Sequence, residues 1–218
     1  MMVILPNDEF PHPSVAVEEW VFAGWEPDGS SGFISGHRLL GPIAWYWAAY
    51  VERDQPLLHV TEWEVPVRAD PLIVKAEQLW AEHTCDSSME QWSIGNETYA
   101  SSLDDPNDAL GLGYGVPTPI GFDLEWYATA DATEVEQGYE QVGVVHGEVA
   151  IIGRPNHTFT ESPGIRWHRW ISGRSSLAPL PLSEAIAHTG LRASFGFPDG
   201  SVDDLVLLSD GWRRRARL

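Results

Sequence analysis

Turn signals recur along this chain roughly every ten residues, and that spacing leaves room for little except short strands. They fall at 27–32 (PDGSSG), 41–42 (GP), 53–56 (RDQP), 68–71 (RADP), 85–88 (CDSS), 104–108 (DDPND), 153–156 (GRPN), 161–164 (ESPG) and 197–200 (FPDG). Between them lie runs rich in Val, Ile, Thr, Trp and Tyr, side chains that suit a pleated, half-buried surface. The pattern predicts an all-β fold, a mostly antiparallel barrel or two-sheet sandwich with one or two short helices.

Period-two alternation supports this. In 121–129, Phe122, Leu124, Trp126 and Ala128 share an apolar face, with Asp123, Glu125 and Tyr127 opposite. In 91–101, Trp92, Ile94, Asn96 and Thr98 oppose Ser93, Gly95, Glu97 and Tyr99. In 57–67, His59, Thr61, Trp63, Val65 and Val67 share one face, and Leu58, Val60, Glu62 and Glu64 the other. In 142–152, Val145, Val149 and Ile151 oppose Val144, His146, Glu148 and Ala150. Asp104-Asp105-Pro106 reads as a cap and first-turn proline for one or two helical turns. Segment 183–188 fits a short helix or a strand, and the glycine-rich 110–115 reads as a loop. The expected organisation is an N-terminal segment (1–17), one β-domain (18–212) and a solvated basic tail (213–218).

Composition narrows the function. Thirty-two acidic against 13 basic residues give a formal charge of −19. Such a field repels phosphate and anionic membrane surfaces, so no nucleic-acid partner is expected. A single cysteine, Cys85, forms no intramolecular disulfide. With no signal-peptide pattern and no apolar run long enough to span a membrane, the expectation is a cytoplasmic protein. Eleven tryptophans point to a Trp-rich core, a Trp-lined pocket, or both.

No nucleotide-binding glycine motif, no serine-nucleophile elbow and no H-x-x-x-H, H-E-x-x-H or H-x-H pair occurs. Spacing therefore gives no metal site and no cofactor, although a composite site drawn from several strands stays open. The sharpest remaining motif is 164–170, Gly-Ile-Arg-Trp-His-Arg-Trp. On a strand, Arg166, His168 and Trp170 share one face, where His168 can move protons and Arg166 can hold an oxygen function. The same face also reads as a salt-bridged barrel mouth. Asp123 and Glu125, about 7 Å apart on one face, supply a partner acid if they point inward and a solvated surface if they point outward. A turn at 85–88 makes a hairpin that draws Trp80 or His83 toward Glu90 and Trp92. His83, Glu97, Trp80, Trp92, Tyr99, Trp126 and Trp63 complete the candidate ligand lining.

Several of these motifs together resemble a known family. They are Trp20-x-Phe22-x-Gly24-Trp25 with Pro27-Asp28-Gly29, then Leu79-Trp80-x-Glu82-His83, Glu90-Gln91-Trp92, Gly95-Asn96-Glu97-x-Tyr99, the stretch 122–128 and the late 164–170 motif. Over about 18–212 the chain resembles the lipocalin-like superfamily that includes hydroxyneurosporene synthase (carotenoid 1,2-hydratase), most closely a branch of bacterial proteins. Where hydratase-like relatives carry D-H-x-W, His168 and Trp170 match and Trp167 replaces the acid. The resemblance implies an antiparallel barrel or sandwich around an apolar pocket. It implies a lipophilic ligand such as a terpenoid or polyketide, and cofactor-free hydration, cyclisation or isomerisation in some members. Three functions are therefore expected to compete. The leading one is a cofactor-independent enzyme on a lipophilic molecule, with His168, Arg166, Asp123 and Glu125 catalytic. The second is a non-catalytic carrier, and the third an acidic protein docking a basic partner. Edge strands and exposed tryptophan are compatible with a homodimer.

Overall fold

The computed structural model describes residues 4–111, 115–173, 176–185 and 189–215. Strands β1 (Val17–Trp25), β2 (Ser31–Leu40), β3 (Ile43–Glu52) and β4 (Leu57–Pro66) form an antiparallel meander. Strand β1 also pairs with β11 (His157–Ile171). From there the sheet runs through β10 (Gly138–Ile151), β8 (Val116–Ala128), β7 (Gln91–Leu103) and β6 (Leu79–Ser87) to β5 (Ile73–Lys75), with β9 (Thr133–Val135) beside β10. The ring closes where β4 meets β7, pairing Leu57 with Leu103, Leu58 with Ser102 and His59 with Ser101. The chain is thus an all-β barrel, as the turn spacing predicts.

Along the edge opposite β8, strand β7 serves two neighbours. Its final residues pair with β4, while Gln91–Thr98 pair with β6. At that second end β4 and β7 part, and the β5–β6 hairpin fills the gap. This is the mouth of the barrel. The turn of the β6–β7 hairpin falls at 88–90 rather than 85–88, so Trp80 stands opposite Glu97 and His83 opposite Ile94, not beside Glu90.

A second sheet, β12 (Glu184–Ala185), β13 (Leu191–Gly196), β14 (Val202–Leu208) and β15 (Gly211–Arg215), covers the outer face of β1–β3. Trp20, Phe22, Phe33, Tyr46 and Tyr50 point into the barrel. Val21, Ile34, Trp45 and Trp47 point out against Phe195, Leu205, Leu207 and Trp212. Strands covered on both faces have no need of polar alternation, which is why β1 and β3 read as nearly continuous apolar runs. The layers are also joined by charge. Glu19 is fully buried, 2.6 Å from Arg38 and 2.5 Å from Arg169. Burial would raise its pKa, but the two guanidinium groups pull it below the ordinary value. Arg169 also donates to the carbonyls of Ala178 and Pro179, fixing the segment that leads to the small sheet.

Two expectations are corrected. In β4, Glu64 adopts φ +60° and the register shifts opposite Ala44 and Tyr46, so Val65 joins Leu58 and Val60 inside while Trp63 stays outside. Of the expected basic tail, Arg213–Arg215 are not free but continue β15 behind the buried Trp212, and 216–218 lie outside the described residues. Of the undecided 183–188, Glu184–Ala185 are strand and 186–188 lie outside the described residues, as do 112–114 of the glycine-rich loop. The 3-10 helix Pro106–Leu110 forms as expected, with the Asp105 carboxylate accepting from Asn107 N.

Three glycines on adjacent strands, Gly24, Gly164 and Gly143, lie in register across β1, β11 and β10. Their bare surface takes the side chains of Trp126, Phe33 and Val145. A Cβ at Gly143 would meet Trp126 Cε2 at 2.5 Å and Tyr127 O at 2.3 Å. We expect Gly143→Ala to destabilise the barrel by about 1–3 kcal/mol through overpacking, measured by urea unfolding. Unchanged stability would show that Trp126 does not pack on this row.

Candidate functional site

The mouth is organised by a buried cation. Arg166, on β11, has no solvent exposure and lies among the rings of Trp92, Trp126 and Tyr139, at 5.6, 5.0 and 5.3 Å. Such a charge is tolerable only when paired. Glu9, from the 3-10 helix Pro6–Glu9, supplies the pair: Nη2 donates to Oε1 at 2.5 Å and Nη1 to Oε2 at 3.0 Å. Gln141 Oε1 accepts from Nε and Nη2. Glu9 further accepts from Trp92 Nε1 and Met89 N. One carboxylate thus ties the N-terminal segment to β7, to the β6–β7 turn and to β11.

Beside it, Glu18 Oε1 sits 2.6 Å from His12 Nδ1 and 2.8 Å from His168 Nε2. His168 stacks on Trp20 and His12 on Trp170, each with centroids 4.3 Å apart. The outer nitrogens also have neighbours: Tyr139 OH lies 3.4 Å from His168 Nδ1, and Asp8 Oδ1 lies 3.5 Å from His12 Nε2. Burial pushes the His168 pKa down, against the opposing pull of Glu18. Among the described residues, His12, Glu18 and His168 offer ligand atoms all within 4.8 Å of one another, a set able to hold a metal ion.

Deeper in the barrel is a polar group built by β2, β3, β6 and β7. Ser35 Oγ lies 2.9 Å from His83 Nε2 and 3.2 Å from Tyr46 OH, and Asn96 Nδ2 donates to Tyr46 OH at 2.8 Å. His37 and His83 face one another with centroids 6.0 Å apart. His37 Nε2 and His83 Nδ1 are buried without a hydrogen-bond partner among the described residues. Burial drives His37 down to about 3 and His83 well below the ordinary histidine value, so both rings are neutral near pH 7. His83 also lines a cleft of about 270 Å³ at the mouth, with Phe10, Pro11, Leu72 and Cys85 around it.

The residues singled out in the sequence divide cleanly. Arg166 and His168 do face inward together, with Trp170 at the mouth beside them, but Arg166 is held in an ion pair with Glu9 and His168 in a hydrogen bond to Glu18. Trp92, Trp126 and His83 are interior. Asp123 and Glu125 are exposed on the outer wall, so they are not the partner acid. Glu97 and Tyr99 are also exposed, and Trp80 lies on the same outer face, over Gly95. Trp63 packs outside the barrel against Trp45 and Phe197. None of these last four lines the interior. Sequence reading missed Glu9, His12, Glu18, Gln141 and His37. For His37 a signal existed, since Phe33, Ser35 and His37 alternate along β2.

No family model matches this chain, and neither a curated protein nor a solved structure does. No helix among the described residues is long and apolar enough to cross a membrane.

Two outcomes follow. Replacing Glu9 by Ala leaves Arg166 unpaired, and we expect a loss of about 3–5 kcal/mol in urea unfolding; a loss below 1 kcal/mol would mean water already serves the guanidinium. The second outcome concerns acid. The unfolded chain protonates its histidines near pH 6.5, whereas folded His37 resists until about pH 3. Stability is therefore complete above pH 6.5 and falls as pH drops toward 3, by up to about 1.4 kcal/mol per pH unit per group. His37→Phe should flatten that decline relative to wild type between pH 6 and 4, and parallel curves would refute the neutral buried ring.

Proposed function

We propose that this barrel binds a small, uncharged lipophilic molecule carrying a hydroxyl or carbonyl group. The apolar part sits in the mouth cleft against Phe10, Pro11 and Leu72, and the oxygen meets the His83–His37 pair. The observation that carries this reading is the unpartnered His83 Nδ1 on a residue that also lines the cleft. A buried polar atom without a partner calls for one, and a ligand or a water supplies it. Neutral imidazoles favour a neutral oxygen function over a carboxylate, and the chain's −19 charge opposes an anion further.

Binding without turnover is favoured over catalysis. Arg166 and His168, the residues on which a hydratase- or isomerase-like reaction would draw, already have their polar atoms engaged by Glu9, Gln141, Glu18 and Tyr139. A ring held neutral down to about pH 3, as His37 is, is a poor base at neutral pH. The family resemblance supplies the ligand class, terpenoid or polyketide-like.

The test is fluorescence titration with a terpenoid alcohol and its carboxylate analogue, followed by mass spectrometry of the recovered compound. Phe22 lies between His83 and Trp92, with centroids 4.9 and 5.4 Å away, so an occupied site should alter Trp92 emission. We expect saturable binding of the alcohol, recovery of it unchanged, and at least tenfold weaker binding by His83→Phe. A chemically altered compound would replace this reading with the catalytic one. Equal binding of alcohol and carboxylate, or an unaffected His83→Phe, would remove the imidazole pair from the site.

A further inference from the structure

We propose that His12, Glu18 and His168 form a site for a divalent transition-metal ion of the zinc type, which staples the N-terminal segment across the barrel mouth. The inference is independent of what the cleft holds. Its three donors come from three places: His12 from the segment, Glu18 from the start of β1, and His168 from β11. Two imidazole nitrogens and one carboxylate oxygen make a donor set that suits zinc and its neighbours better than magnesium or calcium, which prefer oxygen.

The surroundings favour coordination over a simple hydrogen-bonded triad. A metal-bound imidazole must carry its proton on the other nitrogen, where a partner accepts it. Both rings have such a partner in place, Asp8 Oδ1 near His12 Nε2 and Tyr139 OH near His168 Nδ1. Both rings are also held in plane by stacking, His12 on Trp170 and His168 on Trp20. Glu18 is kept in place by its second oxygen, which accepts from His12 N at 2.8 Å. On binding, the ion takes Nδ1 of His12, Nε2 of His168 and Oε1 of Glu18. The two short contacts to Glu18, at 2.6 and 2.8 Å, then open to make room for it. The side chain of His12 is 24% exposed, which gives the ion a path in from solvent and leaves a coordination position for water.

Two properties of the chain add to this. Its −19 charge concentrates cations at the surface, with Asp8 beside the site. His168 also lies 150 residues from Glu18 in sequence, with His12 only six residues from Glu18, so a bound ion would tie the segment to β11 and oppose its lifting from the mouth.

The experiment is calorimetric titration of the metal-free full chain with Zn2+, repeated on variants and paired with NMR of the histidine side chains. We expect one ion per chain, with shifts at His12 and His168. His12→Ala should weaken binding by at least a hundredfold, and Asp8→Asn by about tenfold, since it touches only the outer nitrogen. His146→Ala, whose ring contacts Glu161 elsewhere on the surface, should bind as wild type does. Absence of saturable uptake by the wild-type chain, or unchanged uptake by His12→Ala, would overturn the proposal. Should His12→Ala fail to fold, Asp8→Asn carries the test, and an unchanged affinity there together with unshifted His12 and His168 signals would overturn it as well.

Discussion

A guanidinium without access to water is the constraint on which the rest of the mouth depends. Arg166 is enclosed by three aromatic rings, and its charge must be answered within the barrel. Glu9 answers it, and with Glu9 comes the whole N-terminal segment. The segment then positions His12 against Glu18 and sets Phe10 and Pro11 along the cleft beside His83. Removing the cation and the carboxylate together would leave the barrel wall intact but the mouth without an organising contact. Two further arginines, Arg38 and Arg169, play the matching part outside, where they share Glu19 beneath the second sheet.

The tryptophans divide by layer. Trp20, Trp92 and Trp126 fill the barrel, while Trp45, Trp47, Trp167 and Trp212 lie between the barrel and the small sheet. Their number reflects two hydrophobic layers in one chain. In the interior the indole of Trp126 packs where Gly143 and Gly164 lack side chains, and Phe33 does the same at Gly24.

Much of the fold was legible because alternation is a local property. The inward faces of 91–101 and 121–129 are those their period-two pattern indicates, and Arg166 and His168 share a face as strand geometry requires. Reading failed where a single residue breaks the period, as at Glu64, since a bulge changes every assignment beyond it. It failed also for the site. Glu9 lies in a segment without periodicity and its partner Arg166 is 157 residues away, as His168 is 150 residues from Glu18, distances at which sequence alone gives no pairing. Asp123 and Glu125 were ambiguous by nature, because alternation gives two faces without saying which is wet.

The pairing of β1 with β11 has a consequence for how this molecule comes to exist. The first wall strand pairs early with β2 but finds its second neighbour only after nearly the whole barrel has been synthesised, since Val17 is matched with Ile171. Until then the meander of β1 to β3 has neither its interior filling nor its outer cover, and its two apolar faces meet water at once. Closure across so long a stretch of chain is slow, and an unpaired, doubly apolar edge is the kind that associates with other copies. During synthesis the N-terminal third is therefore the part of the chain most open to association, an exposure that ends once β11 is in place.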